Sequence, residues 1–226
     1  MFHYFCRFKD KNLECLSEMT DEEYMQLKSH CDKIIQLEKD ISRIKIVETT
    51  FSELIEVYDK IYQGKMEFIQ NDLLEIRFTS YLSSFRKFID NWQTDLTRRY
   101  GKDSNEFKAF KQATAKQYDN NIEYRFMYRI RNMDQHCGNI FSKYEQYLDE
   151  NGKPHRYLYV NGEMLLKNFN EWKEDETNFI KKQSAEFDIF ACVNIAQIKH
   201  RLCQCNTGGA KSISPRKYQS SSLLRV

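Results

Sequence analysis

Apolar residues recur at three- and four-residue steps along most of this chain, the spacing of one buried face on an α-helix. The first row starts after Thr20-Asp21-Glu22-Glu23, where the Thr20 hydroxyl is placed to cap a helix and Glu23 to reach back, a capping box. Tyr24, Leu27, Cys31, Ile34, Ile35, Ile41, Ile44, Val47, Phe51, Leu54, Tyr58 and Ile61 follow. They predict one long helix or two, with the β-branched run Val47-Glu48-Thr49-Thr50 as the point for a break and Gly64 as the stop. A second row, Phe78, Tyr81, Leu82, Phe85, Phe88, Ile89, Trp92 and Leu96, predicts a helix from about Met66 to Tyr100, ended by Gly101. Its aromatics stand at helical spacing and are read as core, not as a ligand-stacking row.

Asp103 or Ser104 is placed to cap a shorter helix through Phe107, Phe110 and Tyr118, and Asp119-Asn120-Asn121 starts another that ends at Gly138. The texture then changes. Between Tyr144 and Lys167, Asn151-Gly152 and Asn161-Gly162 (the second flanked by YLYV and EMLL) predict a small two-stranded hairpin excursion. Helix returns from about Asn170 to Asn206, with Trp172, Phe179, Ile180, Phe187, Ile189, Phe190, Val193, Ile195, Ile198 and Leu202 as its buried set and a break near Glu186-Phe187-Asp188. The fold class is therefore all-α: a helical bundle of long antiparallel helices with a small β-hairpin after the helix that ends at Gly138. Residues 20–206 form the domain, with the hairpin insert at about 144–167. Residues 1–19, aromatic and basic without a sustained period, stay unassigned, and the Gly-, Ser- and Lys/Arg-containing stretch 207–226 reads as a disordered tail.

Composition supports this picture. The 226 residues are 41% hydrophobic and 30% charged, a soluble globular balance, and only seven Gly and two Pro favour helix. No apolar run approaches the roughly 18 to 20 residues of a membrane span, so no membrane partner is expected. The start, MFHYFCRFKDKN, lacks an apolar segment followed by a small-residue cleavage site, so no secretory signal is expected. Seven cysteines (Cys6, Cys15, Cys31, Cys137, Cys192, Cys203 and Cys205) are odd in number and scattered, which fits reduced thiols in a cytoplasmic protein. Cys203-Gln204-Cys205 lacks the second ligand pair of a zinc site. The net charge of +2 is too small to indicate a nucleic-acid partner by itself; any basic surface has to be local.

One stretch concentrates residues that do chemistry: Tyr124 to Gly138, YRFMYRIRNMDQHCG. At about 100° per residue, Ile122, Phe126, Ile130, Met133 and Cys137 fall within a sector of roughly 80°, a core-facing stripe on which Cys137 is a small core residue. Beside it Arg125, Arg129, Asn132 and His136 lie within about 60° of one another, while Arg131 falls about 140° from His136. Histidine titrates near neutral pH and is suited to take a proton from a ribose 2′-hydroxyl or give one to a leaving oxygen. Arginine forks onto phosphate oxygens and stabilises transition-state charge, and an amide such as Asn132 orients either partner. Neither metal nor cofactor is called for, and no dense carboxylate cluster is present to hold a cation. The set suits RNA cleavage by 2′-hydroxyl attack. Arginine and histidine are also favoured near a helix C-terminus by its dipole, so residue type alone leaves a structural explanation open. The other histidines, His3, His30, His155 and His200, lack a partner pattern and read as surface or satisfied structural residues.

Arg131-Asn132-Met133-Asp134-Gln135-His136 resembles the R-x(4–6)-H motif of HEPN domains, a helical family with many RNase toxins and antiviral effectors, in the form where a polar residue follows the arginine. The likeness covers roughly residues 50–205, more by helix order than by residue identity. It implies a metal-independent endoribonuclease acting on RNA in antiviral defence or as a toxin, with Arg131, Asn132 and His136 catalytic; Arg125 and Arg129, outside that likeness, are the candidates to hold RNA phosphate from their place on the face of Asn132 and His136. It also implies a homodimer in which two motifs face each other across a cleft and build a composite site, with an antitoxin or regulatory partner. HEPN toxins paired with a nucleotidyltransferase often carry a tyrosine two positions after the histidine; Gly138 stands there, which sets the chain apart from that subgroup. The alternative is a non-catalytic module of the same fold that binds RNA, a nucleotide or a protein, and a third reading is a purely structural helical protein.

Overall fold

The computed structural model describes residues 2–63, 71–138, 140–152 and 154–205. The Gly64 stop and the tail reading for 207–226 lie outside the described residues. The fold is the all-α bundle that the apolar rows predict, with small antiparallel sheets added. The chain divides into two compact units, Met1–Arg43 and Ile44–Val226.

In the first unit, β1 (His3–Lys9) and β2 (Asn12–Met19) pair as an antiparallel hairpin where the sequence gives no strand signal. The reason lies in its turn. Lys9 opposes Asn12 across a two-residue loop, and both loop residues, Asp10 (φ 48°) and Lys11 (φ 66°), take the left-handed conformation. Asn-Gly announces such a turn, whereas Asp-Lys does not. The capping box forms as expected at the start of α1 (Asp21–Tyr62): the Glu23 amide donates to Thr20 Oγ1 at 3.2 Å and the Thr20 amide to Glu23 Oε2 at 2.8 Å. His3 ties the hairpin to this helix start, its ring stacked on Tyr24 at 3.9 Å and its Nε2 3.0 Å from Asp21. Leu27, Ile34 and Ile35, expected to be buried, are exposed, as are Phe5, Phe8, Leu13 and Leu16 on the hairpin. One hairpin and one stretch of helix supply no further layer within the unit to cover them.

In the second unit, α1 runs unbroken through Val47-Glu48-Thr49-Thr50. Val47 is buried, and the Thr50 hydroxyl bonds back to the Ile46 and Val47 carbonyls and meets Ser84 Oγ at 2.6 Å, so packing holds this β-branched run helical. α2 (Asn71–Tyr100) is followed by Gly101 at φ 85°. Its aromatic row is core throughout: Phe78, Tyr81, Leu82, Phe85, Phe88, Ile89, Trp92 and Leu96 are all buried, each side chain of this size stabilising the fold by about 2 kcal/mol. α3 (Asn105–Asn120) is capped by Ser104, whose Oγ accepts from the Phe107 amide at 3.2 Å. α4 (Ile122–Cys137) packs against α2 and α3.

The excursion after α4 differs from the expected hairpin in two ways. β3 (Phe141–Leu148) and β4 (Pro154–Asn161) are joined through Asn151-Gly152 as expected, with Gly152 at φ 74°. Asn161-Gly162, however, is no turn between strands. Asn161 caps α5 (Gly162–Asn168), its Oδ1 accepting from the Met164 amide at 2.9 Å, and Gly162 sits where a Cβ would lie 3.2 Å from Ile180 Cγ2. Asn serves helix caps as readily as turns, and the glycine answers to close packing. α6 (Glu174–Lys182) follows, and the expected break at 186–188 is a third strand, β5 (Glu186–Asp188), paired to β4. Tyr58 donates to Asp188 Oδ2 at 2.8 Å and the Phe190 amide to Oδ1 at 3.0 Å, anchoring the start of α7 (Phe190–Cys205). On α7 the buried face is Val193, Ala196, His200 and Cys203; Ile198 and Leu202, expected inside, point off that face and are exposed. No described helix is long and apolar enough to cross a membrane.

Candidate functional site

The residues singled out in sequence all lie on α4, whose boundaries are the expected ones: Asn121 leaves helical geometry before it and Gly138 takes φ 78° after it. Phe126, Ile130 and Met133 are buried as the stripe requires, and Ile122 is half-buried. Tyr124 and Met127 are buried too, because α2, α3, α6 and α7 all pack on this helix and leave it little solvent face. Cys137 departs from expectation. It is exposed beyond the last packed turn, its thiol donating to the Asn168 carbonyl at 3.0 Å.

Arg131 and Asn132 are brought together: the guanidinium Nη1 donates to the Asn132 Oδ1 at 3.3 Å, both side chains half-buried. The same guanidinium lies close enough to Asp134 to pull its carboxyl down, as does a 3.1 Å bond from the Thr79 hydroxyl. Burial outweighs both, and the Asp134 pKa is raised. His136, one turn beyond Asn132, is exposed and makes no hydrogen bond among the described residues. A cation, an amide and an open imidazole therefore occupy the last two turns of α4, without a direct link from the histidine to the other two.

Arg125 and Arg129 turn to a different partner. Glu176 on α6 is wholly buried, with its Oε1 3.5 Å from Arg125 Nε and 3.9 Å from Arg129 Nε. Arg125 also reaches Asp175 at 3.1 Å, and Glu176 Oε2 accepts from the Lys173 amide at 2.9 Å. These charges fasten α6 to α4. Replacing Glu176 with glutamine keeps an acceptor for Lys173 but removes the carboxylate facing the half-buried Arg129 and leaves Arg125 with Asp175 alone; a loss of about 2 kcal/mol is expected in denaturant unfolding.

Sequence reasoning missed two features near these residues. Tyr118 and Tyr128 meet edge to face at 5.5 Å, with Arg86 4.4 Å above Tyr128 and Arg125 6.0 Å from Tyr118, an alternation of cations and rings that no spacing within one helix announces. His200 is not a surface or satisfied histidine. It is fully buried, 4.5 Å from the Phe85 ring and 4.7 Å from the Phe88 ring, and neither nitrogen has a hydrogen-bond partner among the described residues. Burial, helped by the nearby Arg201 charge, pushes its pKa down to about 3. Its place on the i, i+4, i+7 face of Ala196, His200 and Cys203 was the available signal. Among the described residues, no group of three or more His, Cys, Asp or Glu side chains could hold a metal ion.

Among known proteins, no family model, no curated sequence and no solved structure matches the chain.

Proposed function

We propose that the chain is a metal-independent endoribonuclease that cleaves RNA by 2′-hydroxyl attack, in the manner of the HEPN domains its motif resembles, in the cytoplasm as an antiviral effector or toxin. One observation supports the reading above the rest: Arg131 and Asn132 in contact on the last turns of α4, with the exposed His136 one turn on. In this reading the imidazole moves the 2′-hydroxyl proton, Arg131 carries the phosphate charge, and Asn132 fixes the fork of Arg131. His136 is not bonded to the pair within one chain, which is what a site shared by two subunits calls for: Arg131 of one copy beside His136 of another. Arg125 and Arg129 would hold flanking phosphates while keeping their hold on Glu176, so their contribution is to the local field more than to a direct grip.

The test is incubation of the purified full chain with an end-labelled single-stranded RNA in EDTA. Shorter RNAs ending in a 2′,3′-cyclic phosphate are expected, with the matching DNA left intact. Absence of products, dependence on added divalent cation, or 3′-hydroxyl ends would sink the proposal. A second reading is a non-catalytic module of the same fold that binds RNA, a nucleotide or a protein: Asp134 beside Arg131, and Asp175 and Glu176 beside Arg125 and Arg129, already engage the cations that a cleavage site turns to phosphate. RNA held but uncut after long incubation would favour it.

A further inference from the structure

We propose that Cys6 and Cys15 are a disulfide-forming site, closed across the β1–β2 hairpin when a hydroperoxide reaches it. The two residues are register partners on neighbouring antiparallel strands. Such partners hold their Cα atoms about 4.5 to 5.5 Å apart, inside the span a disulfide bridges. The sulfurs themselves are 3.1 Å apart. Arg7 meets Glu14 at 2.6 Å in the same register, and Tyr4 donates to Glu18 at 3.1 Å on the other side of a one-residue register shift between Phe5 and Cys6, so the strands are tied on both sides of the pair. Both thiols are reachable, Cys15 exposed and Cys6 half-buried. The other described cysteines are placed differently. Cys31 and Cys137 are exposed, with no sulfur beside them among the described residues. Cys192 and Cys203 are buried, which pushes their thiols up to about 12 and about 11 and leaves them unreactive.

The chemistry balances with the peroxide as oxidant. One thiolate attacks a peroxide oxygen, the O–O bond breaks, and water (or an alcohol, from an organic hydroperoxide) leaves with a sulfenic acid behind. The second thiol then attacks that sulfur, an S–S bond forms, and a water carries off the sulfenic oxygen. Two thiols lose two protons and two electrons, and the peroxide takes up both to become water and either a second water or an alcohol. The structural consequence is specific to this element. A two-stranded hairpin is marginal by itself, and this one turns through two non-glycine residues at positive φ. Closing it covalently removes its open states and so sets how firmly it presents the exposed Phe5, Phe8, Leu13 and Leu16.

The test treats the full chain with hydrogen peroxide, blocks remaining thiols by alkylation and digests with trypsin. Cleavage after Arg7 and Lys11 separates residues 1–7 from residues 12–28, so a disulfide joins two peptides that otherwise part. The expected result is that joined species, two hydrogens lighter than the sum of its peptides and released by dithiothreitol. Amide exchange in residues 3–19 should slow by roughly a hundredfold. In Cys6→Ser the joined species is lost and Cys15, the sulfur that accepts from Cys6, is trapped as a sulfenic acid by dimedone. Alkylation of both Cys6 and Cys15 after treatment, or oxidation confined to Cys31 and Cys137, would overturn the proposal.

Discussion

Replacing His136 with alanine is expected to slow RNA cleavage by about a thousandfold while leaving the unfolding midpoint within about a degree of the parent. A positioned proton-transfer group contributes about 10²–10⁴ in rate, and an exposed ring with no hydrogen bond among the described residues takes little packing with it. Arg131→Ala should lose activity on a similar scale, about 10²–10³, through the missing phosphate charge. It differs in also touching the fold, because Arg131 bonds Asn132 and restrains the raised Asp134 carboxyl. The two variants together test the shared site. If Arg131 of one subunit works with His136 of its partner, mixing the two inactive proteins makes heterodimers with one intact site each. About a quarter of the parental rate should return, given random pairing. A mixture as inactive as its components would exclude the composite site, and unchanged cleavage in both single variants would exclude the motif.

Acid is expected to cost the protein about 3 kcal/mol of folding free energy between about pH 7 and about pH 4 through His200 alone. The folded pKa of about 3 lies below the ordinary histidine value near 6.5 that the unfolded chain retains. Between those values the unfolded state binds more protons, so stability is fully present above about pH 6.5 and falls as pH drops toward 3. The carboxyls of Asp188 and Asp134, both raised by burial, act in the opposite direction, binding protons more readily in the folded state. Comparison with His200→Leu isolates the histidine. Leucine is apolar and close to histidine in size, it suits a position packed on the Phe85 and Phe88 rings, and no hydrogen bond is given up, since neither ring nitrogen has one among the described residues. Urea unfolding at the two pH values should show a variant that is as stable as the parent at pH 7 and loses about 3 kcal/mol less on acidification. Equal acid losses in the two proteins would refute the assignment.

What could be read in advance followed local rules. The α2 row, the capping box at Thr20 and the limits of α4 each depend on residues within one or two turns, and each formed as expected. The misread elements were settled at longer range. Asn161-Gly162 became a helix cap because Ile180 approaches the glycine; at Val47–Thr50, where the sequence allows one helix or two, packing and Ser84 give one. The β1–β2 hairpin was hidden because Asp10-Lys11 is not the turn sequence its backbone favours. At the candidate site, the helical wheel placed Asn132 and His136 along one face and Arg131 away from them. It could not show that Arg131 reaches Asn132, nor that Glu176, on α6, draws Arg125 and Arg129. Side-chain reach and partners from other helices lie outside a one-helix periodicity.

The packing of α7 on α4 has a bearing on synthesis. Phe126, Ile130 and Met133 sit in a core that includes Phe190, Val193 and Ala196, residues translated about 50 positions after α4 is complete. At about 5–20 residues per second, a nascent chain carries Arg131 and His136 for several seconds on a helix whose final framework has not yet been made. If the chain cleaves RNA as proposed, its cutting site is therefore completed only once α7 has been made, seconds after the motif itself has been translated.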